Sequence, residues 1–178
     1  MFVFVGLGSN QGDRMANLRA GIEGFTRLAG SDGVQPSPVY ESAPMYFTEQ
    51  PSFLNMVIGG SVNIAPWELL NAFKEIEGTL GRDLSIRAQR NGPRPLDMDI
   101  LLAYEHDWPI SQDAIPIVLD IPGLTIPHPR MAERAFVLYP LRDLVPNMVH
   151  PTLHQTIAVL AEAVAEQDVR RLADGELG

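Results

Sequence analysis

A chain of 178 residues, 46% hydrophobic and 20% charged, has the composition of one globular domain with a sizeable core and is too short for two ordinary ones. Its 13 basic residues against 22 acidic ones give a net charge of −9, which argues against broad binding to nucleic acid or anionic membrane, since both want a positive surface. Cysteine is absent, which excludes disulfides, thiolate zinc sites and cysteine nucleophiles, and any lysine chemistry would have to pass through the single lysine, Lys74.

Residues 2–7 form a short apolar run that predicts a buried strand. No basic region precedes it and no apolar run approaches twenty residues, so neither export nor membrane spanning is indicated and a cytoplasmic enzyme or binding module is expected. The glycines of Gly6-x-Gly8-x-x-x-Gly12 lack both the dinucleotide spacing and the Gly-Lys-Ser/Thr of a P-loop. They are read as permitting a tight strand-to-helix turn, with Asn10 or Asp13 as the helix cap. Met15, Leu18, Ile22, Phe25 and Leu28 then mark one helical face, ended by Gly30.

Residues 34–40 are extended, with Pro36 and Pro38 favouring an edge. The loop over 41–51 is rich in aromatic and apolar side chains, and either packs over the core or walls a pocket. Residues 53–58 and 61–64 read as one strand bent or bulged at Gly59-Gly60. Asn55, inside that apolar run, is either a satisfied core amide or a reader of a heterocycle edge. Pro66 opens a second helix whose core face is Trp67, Leu70, Phe73, Ile76 and Leu80, with Lys74 and Glu77 as a solvated pair and Gly81 as the stop.

The most informative stretch follows, over residues 82–102. Arg82, Arg87, Arg90 and Arg94 crowd into a segment broken by Gly92, Pro93 and Pro95, which delivers Asp97 and Asp99 into an apolar strand running to Tyr104. The side-chain period of two puts both carboxylates on one face. Side by side they repel unless a cation sits between them; Mg²⁺ suits two carboxylates and completes its shell with water and phosphate oxygens. The arginines are then the groups to clamp a polyphosphate.

Residues 105–123 form a Pro-containing excursion with a possible edge hairpin over 115–119, and no chemistry is assigned to it. Residues 124–130 are extended, residues 131–134 a single helical turn, and residues 136–144 lead toward a final helix over 153–165. His150 and His154 have helical metal spacing, but Pro151 stands between them and no H-E-x-x-H exists. His128, between two prolines and six residues before Arg134, is better placed to meet a phosphate. Two strand–helix–strand units in so short a chain predict a single α+β domain, an antiparallel ferredoxin-like sheet with two helices on one face, over residues 1–166, with a frayed polar tail over 167–178.

The combination of Gly6-Leu7-Gly8-Ser9-Asn10, Gln50-Pro51 with Phe53-Leu54-Asn55, Arg90-x-Gly92-Pro93-Arg94-x-x-Asp97-x-Asp99, and Ile126-Pro127-His128 followed by Arg134-x-Phe136 resembles the 6-hydroxymethyl-7,8-dihydropterin pyrophosphokinases of folate biosynthesis, in order, from residue 2 to about 157. The resemblance implies a monomeric ferredoxin-like enzyme with ATP as co-substrate and two Mg²⁺ ions on Asp97 and Asp99, in which the pterin hydroxymethyl oxygen attacks the β-phosphorus and AMP leaves. By the same resemblance Arg82 and Arg94 act in catalysis, and Arg87, Arg90, His128 and Arg134 also contact the triphosphate. Lys74, Glu77, Ile100 and Thr125 line the adenosine site. The pterin stacks between Phe53 and Phe136, with Asn55 and residues Ser42, Ala43, Pro44 and Met45 reading its edge. The chain departs from the family pattern at Asn91, Phe53, Lys74 and Pro129. The alternatives are a paralogue acting on a modified pterin, a two-metal phosphodiesterase using the same carboxylates, and a binding module without turnover.

Overall fold

The structure, a computed structural model, describes residues 1–29, 33–45, 47–85, 91–106, 109 and 114–173; Gly30, Arg87 and Arg90 lie outside the described residues. Strand β1 (Phe2–Ser9) leads into helix α1 (Arg14–Ala29), then short strands β2 (Gln35–Pro36) and β3 (Tyr40–Ser42), the long strand β4 (Phe53–Ser61), helix α2 (Pro66–Thr79) and strand β5 (Asp97–Tyr104). A two-stranded hairpin, β6 (Leu119–Ile121) and β7 (Leu124–Ile126), precedes a 3₁₀ turn over Met131–Glu133, helices α3 (Ala135–Leu144) and α4 (Ile157–Ala163), and a last strand, β8 (Val169–Arg171).

The main sheet runs β5-β1-β4-β3-β8, with β2 also paired to β4 and every pairing antiparallel. Its first four strands in that order, joined through α1 and α2, give the ferredoxin-like arrangement expected from the sequence. Val3, Val5 and Leu7 face α1 and α2, where Leu18, Phe25, Leu69 and Phe73 complete one core. Phe2 and Phe4 point the other way into a second core with Leu138, Leu141, Ile157 and Leu160 of α3 and α4. The two helices expected on one face, α1 and α2, are there, and α3 and α4 cover part of the other face. No helix among the described residues is long and apolar enough to cross a membrane.

Several local expectations are corrected. Gly59 and Gly60 make no bulge: β4 pairs with β1 in unbroken register from Phe2↔Ser61 to Ser9↔Leu54. These glycines make room for aromatic rings, since a Cβ on Gly60 would lie 2.7 Å from Phe25. The register shift lies in the other pairing of β1, where Phe4 faces Leu102 but Val5 faces Ile100, leaving Leu101 as the extra residue of a bulge in β5. Trp67 is 55% exposed, because the stripe α2 buries is Leu69, Phe73 and Glu77, and the acid in that stripe disguised the true face. The hairpin of the excursion is β6–β7, while Pro116 bridges to Tyr104. The last helix starts at residue 157 because Thr156 caps it, its hydroxyl accepting from the Val159 amide at 3.3 Å. Within the expected frayed tail, β8 pairs with β3, and Leu172 is buried beside Val39.

Candidate active site

One face of the sheet is only half covered. Where β1 carries Phe2 and Phe4, the rings fill the space under α3 and α4; two residues further, the same face carries Gly6 and Gly8, which fill nothing. A Cβ on Gly8 would already touch Asn55 Oδ1 at 3.4 Å. On the neighbouring strands the same face carries Phe53 and Asn55 of β4 and Asp97, Asp99 and Leu101 of β5, and together they floor a cavity of about 1030 Å³. That is at the upper end of the roughly 300–1,000 Å³ usual for small-molecule pockets, enough for more than one ligand. The bulge at Leu101 allows this division, because it lets the acids share a face with Leu102 and Tyr104, which pack under the helices.

The two carboxylates share that face, as the strand period of two predicted. Asp97 is held by two arginines: Arg82 Nη1 donates to its Oδ1, and Arg94 Nε stands 3.2 Å from its Oδ2. Burial opposes its charged form, but the Arg94 and Arg82 guanidiniums outweigh this and hold its carboxyl below the ordinary aspartate range. Asp99 goes the opposite way. Burial, and then the charge of Asp97 beside it, push its carboxyl up to about 6. The sheet thus presents one firmly ionised acid and one whose charge is disfavoured, with Lys74 and Arg134 offsetting only part of that.

Beneath the acids lies Glu77, with no exposed side-chain surface. Its carboxylate accepts from the Met98 amide at 2.8 Å and pairs with Arg82 at 2.9 Å and Lys74 at 3.1 Å. Burial raises its carboxyl against the pull of Lys74 and Arg82. It was expected as half of a solvated pair; instead it is the buried anchor that ties α2 to β5 under Arg82.

Across β1 from the acids, where Gly8 lies between Asp97 and Asn55, Asn55 Nδ2 donates to Ser42 Oγ at 3.0 Å, with both residues buried. Arg94 lies over the Phe53 ring at 5.2 Å and Arg134 over the Phe136 ring at 5.5 Å. The aromatic loop of residues 41–51 proves to be a wall: Ser42, Ala43, Met45 and Gln50 line the cavity. His128 and Arg134 line it as well. The His128 ring Nδ1 accepts from the Arg130 amide at 3.2 Å, and burial, followed by the charges of Arg134 and Arg130, pushes the ring down to about 4, so it is neutral at pH 7.

Of the residues expected in the site, Lys74, Arg82, Arg94, Asp97, Asp99, His128, Arg134, Ser42, Ala43, Met45, Phe53, Asn55 and Phe136 line this cavity. Pro44 is not part of the lining. Ile100 points into the core under α1 and α2, and the Thr125 hydroxyl donates to Asp120 at 3.0 Å within the β6–β7 hairpin. Arg87 and Arg90 lie outside the described residues.

Sequence reasoning missed Asn10, Gln50 and Arg130. Asp13 caps α1, accepting from the Ala16 amide at 2.9 Å, which releases Asn10 for another task. The Asn10 side chain accepts from the Arg94 amide at 2.8 Å and donates to Gln50 Oε1 at 2.9 Å, while Gln50 donates to the Asn91 carbonyl at 2.9 Å. These two amides stitch the arginine-bearing loop to the aromatic wall. Nothing in a turn sequence distinguishes an asparagine that caps from one that bridges. Arg130, also in the lining, lies four residues before Arg134 in a segment read only as extended backbone.

A sequence model of the 7,8-dihydro-6-hydroxymethylpterin-pyrophosphokinase family matches residues 4–146. The chain belongs to this family. A pyrophosphokinase of Pseudomonas aeruginosa, 2-amino-4-hydroxy-6-hydroxymethyldihydropteridine pyrophosphokinase, is 42% identical over 149 residues, which are 84% of this chain and 83% of that protein. The folic acid synthesis protein FOL1 of Dictyostelium discoideum is 41% identical over 86% of the chain, which spans only 21% of that longer protein. Among solved structures, an HPPK-DHPS protein in complex with substrates superposes with a TM-score of 0.66 at 13% identity, covering 93% of this chain and 43% of that one; it shares the fold. The chain thus spans nearly the whole of one pyrophosphokinase relative and less than half of the longer proteins.

Proposed function

We propose that the protein transfers pyrophosphate from ATP to the hydroxymethyl group of 6-hydroxymethyl-7,8-dihydropterin, releasing AMP, as a step of folate biosynthesis. In that reaction the hydroxymethyl oxygen bonds to the β-phosphorus and loses its proton, and the bond from the β-phosphorus to the α–β bridging oxygen breaks, so that oxygen leaves with AMP. The observation that carries the reading is the juxtaposition, in one cavity, of a paired-carboxylate strand, a cationic side built from Arg82, Arg94 and Arg134, and an aromatic and amide end built from Phe53, Phe136 and Asn55.

The roles follow from chemistry. Phosphoryl transfer asks mainly for positioning and charge neutralisation. Arg82, Arg94, His128 and Arg134, with Arg87 and Arg90, are assigned to the triphosphate, and neutral His128 donates or accepts a hydrogen bond without adding charge. The pterin is assigned to the slot between Phe53 and Phe136, a planar conjugated ring between two aromatic rings, with Asn55 and the Ser42–Met45 wall reading its polar edge. Lys74 is assigned to the adenosine side, with the buried carboxylate of Glu77 holding it there; Ile100 and Thr125, which do not line the cavity, are given no role.

Two Mg²⁺ ions are assigned to Asp97 and Asp99. Asp99, whose charged form is disfavoured by burial and by its neighbour, fits a site that receives divalent charge. Mg²⁺ suits a pair of carboxylates, because it fills the rest of its shell from water and phosphate. When bound, Mg²⁺ neutralises the polyphosphate and activates it toward attack. By the resemblance of its motifs we assign it as a monomer, and we place its work in the cytoplasm. Calorimetry with a non-hydrolysable ATP analogue and Mg²⁺, with and without the hydroxymethyl-dihydropterin, tests the reading. Saturable binding of both ligands is expected; a protein that binds neither would overturn it.

A further inference from the structure

Helix α3 begins with a conflict. Its N-cap is Arg134, in extended backbone, and no side chain of its own closes the first turn. An arginine has no acceptor to offer the exposed helix amides, and its charge sits at the positive end of the helix dipole, where it is unfavourable. The Arg134 side chain is instead committed to the cavity, over the Phe136 ring.

A residue thirty-three positions away resolves the conflict. Gln167 Oε1 accepts from the amide of Ala135, the first residue of α3, at 3.0 Å, and Gln167 Nε2 donates to the Glu133 carbonyl at 2.8 Å. One side-chain amide therefore grips the backbone on both sides of Arg134. The grip is itself anchored. Gln167 follows α4, with its own amide donating to the Val164 carbonyl at 3.1 Å, and it precedes β8, which pairs with the β3 strand that carries Ser42 to the cavity. The family match ends at residue 146, so this support comes from the part of the chain beyond it.

We infer that Gln167 is a positioning residue: it caps α3 in place of Arg134, and so holds Arg134 and Phe136 in the attitude in which they face the cavity. The assignment of substrates to those two side chains rests on the proposed function; the cap itself does not. The Gln167→Met variant keeps the length and bulk and removes both hydrogen bonds. Gln167→Glu keeps the acceptor for Ala135 and sets a carboxylate at the helix N-terminus, where it is favourable, so it should restore much of what methionine loses. As a control, Thr156→Val removes the cap of α4 without touching Arg134.

Amide exchange by NMR and steady-state kinetics are measured on the three full-length variants and the parent, at a temperature where all remain folded. In Gln167→Met the Ala135 amide should exchange about fivefold faster, the equilibrium equivalent of one lost cap, and KM for the pterin and for ATP should rise while kcat stays within about twofold. Gln167→Glu should recover most of that loss, and Thr156→Val should leave KM unchanged. Unaltered Ala135 exchange in Gln167→Met, unaltered KM, or an equal rise in KM for Thr156→Val would each overturn the inference. Should the parent itself show no turnover, the proposed function fails and the Ala135 exchange still decides the cap.

Discussion

Replacing Glu77 with leucine tests whether the buried carboxylate under the site holds its charged side together. Leucine nearly matches the volume, so the loss is one of charge and acceptor rather than of packing. The Met98 amide, which donates to Glu77 at 2.8 Å, would be left unsatisfied in a buried strand, at a cost of about 1–3 kcal/mol. Breaking a fully buried ion pair costs about 3–5 kcal/mol, but only a fraction of that applies here. Arg82 keeps Asp97 as a partner, and Lys74, with 39% of its side chain exposed, regains water, so its pair adds almost nothing. The total is about 2–4 kcal/mol. At about 2–4 °C per kcal/mol for a domain of this size, Tm should fall by roughly 10 °C. Glu77→Gln, which keeps a carbonyl for Met98, should lose about half as much. Thermal unfolding followed by circular dichroism at neutral pH measures both. A Glu77→Leu protein melting within about 2 °C of the parent would refute the reasoning, because no exposed or spare carboxylate could be removed with so little consequence if it carried these bonds.

Asp97→Ala should lower turnover by at least about a hundredfold while leaving pterin affinity within a few-fold, as calorimetry with the pterin alone would register; equal losses in both would contradict the division of roles. His128 should titrate near pH 4 in ring-proton NMR, against an ordinary value of 6.5. Since the folded state binds that proton less readily than the unfolded chain, its contribution to stability is complete above pH 6.5 and is lost as pH falls toward 4; a midpoint near 6.5 would contradict the burial argument. Gly60→Ala should destabilise by about 1–3 kcal/mol, because the new Cβ meets the Phe25 ring at 2.7 Å in a packed core, and denaturant unfolding measures it. Trp67→Ala, by contrast, should change stability by no more than about 0.5 kcal/mol despite the size of the side chain, since Trp67 stands mostly in solvent.

What was legible in the sequence was whatever obeys a short period. The alternation around Asp97 and Asp99 placed both acids on one face, and the spacing by four and three of Leu18, Ile22 and Phe25 placed α1 against the sheet. What was not legible was whatever depends on a partner far along the chain. Gly59-Gly60 reads as a break in a strand, but the glycines yield to Phe2 and Phe25, which the sequence does not bring near them. Glu77 reads as surface charge because an acid in a helix is solvated unless cations and hydrogen-bond donors from other elements meet it inside, and here Arg82 and the Met98 amide do. Asn10 and Gln167 look like ordinary loop residues, yet each uses its side-chain amide to close backbone groups from another segment. The β8 strand escaped notice for the same reason: Val169–Arg171 is too short and too charged to announce itself, and only β3 gives it a place. The motifs of the site were legible through resemblance, whereas the half-bare sheet that makes the cavity follows from Gly6 and Gly8 meeting a bulge at Leu101.

Product analysis with ATP, Mg²⁺ and 6-hydroxymethyl-7,8-dihydropterin decides whether the proposed pyrophosphate transfer takes place. Quenched single-turnover reactions should yield AMP and the pterin diphosphate in equal amounts, with neither formed when the pterin or the metal is left out. Formation of ADP with a pterin monophosphate, or hydrolysis that proceeds without any pterin, would contradict it.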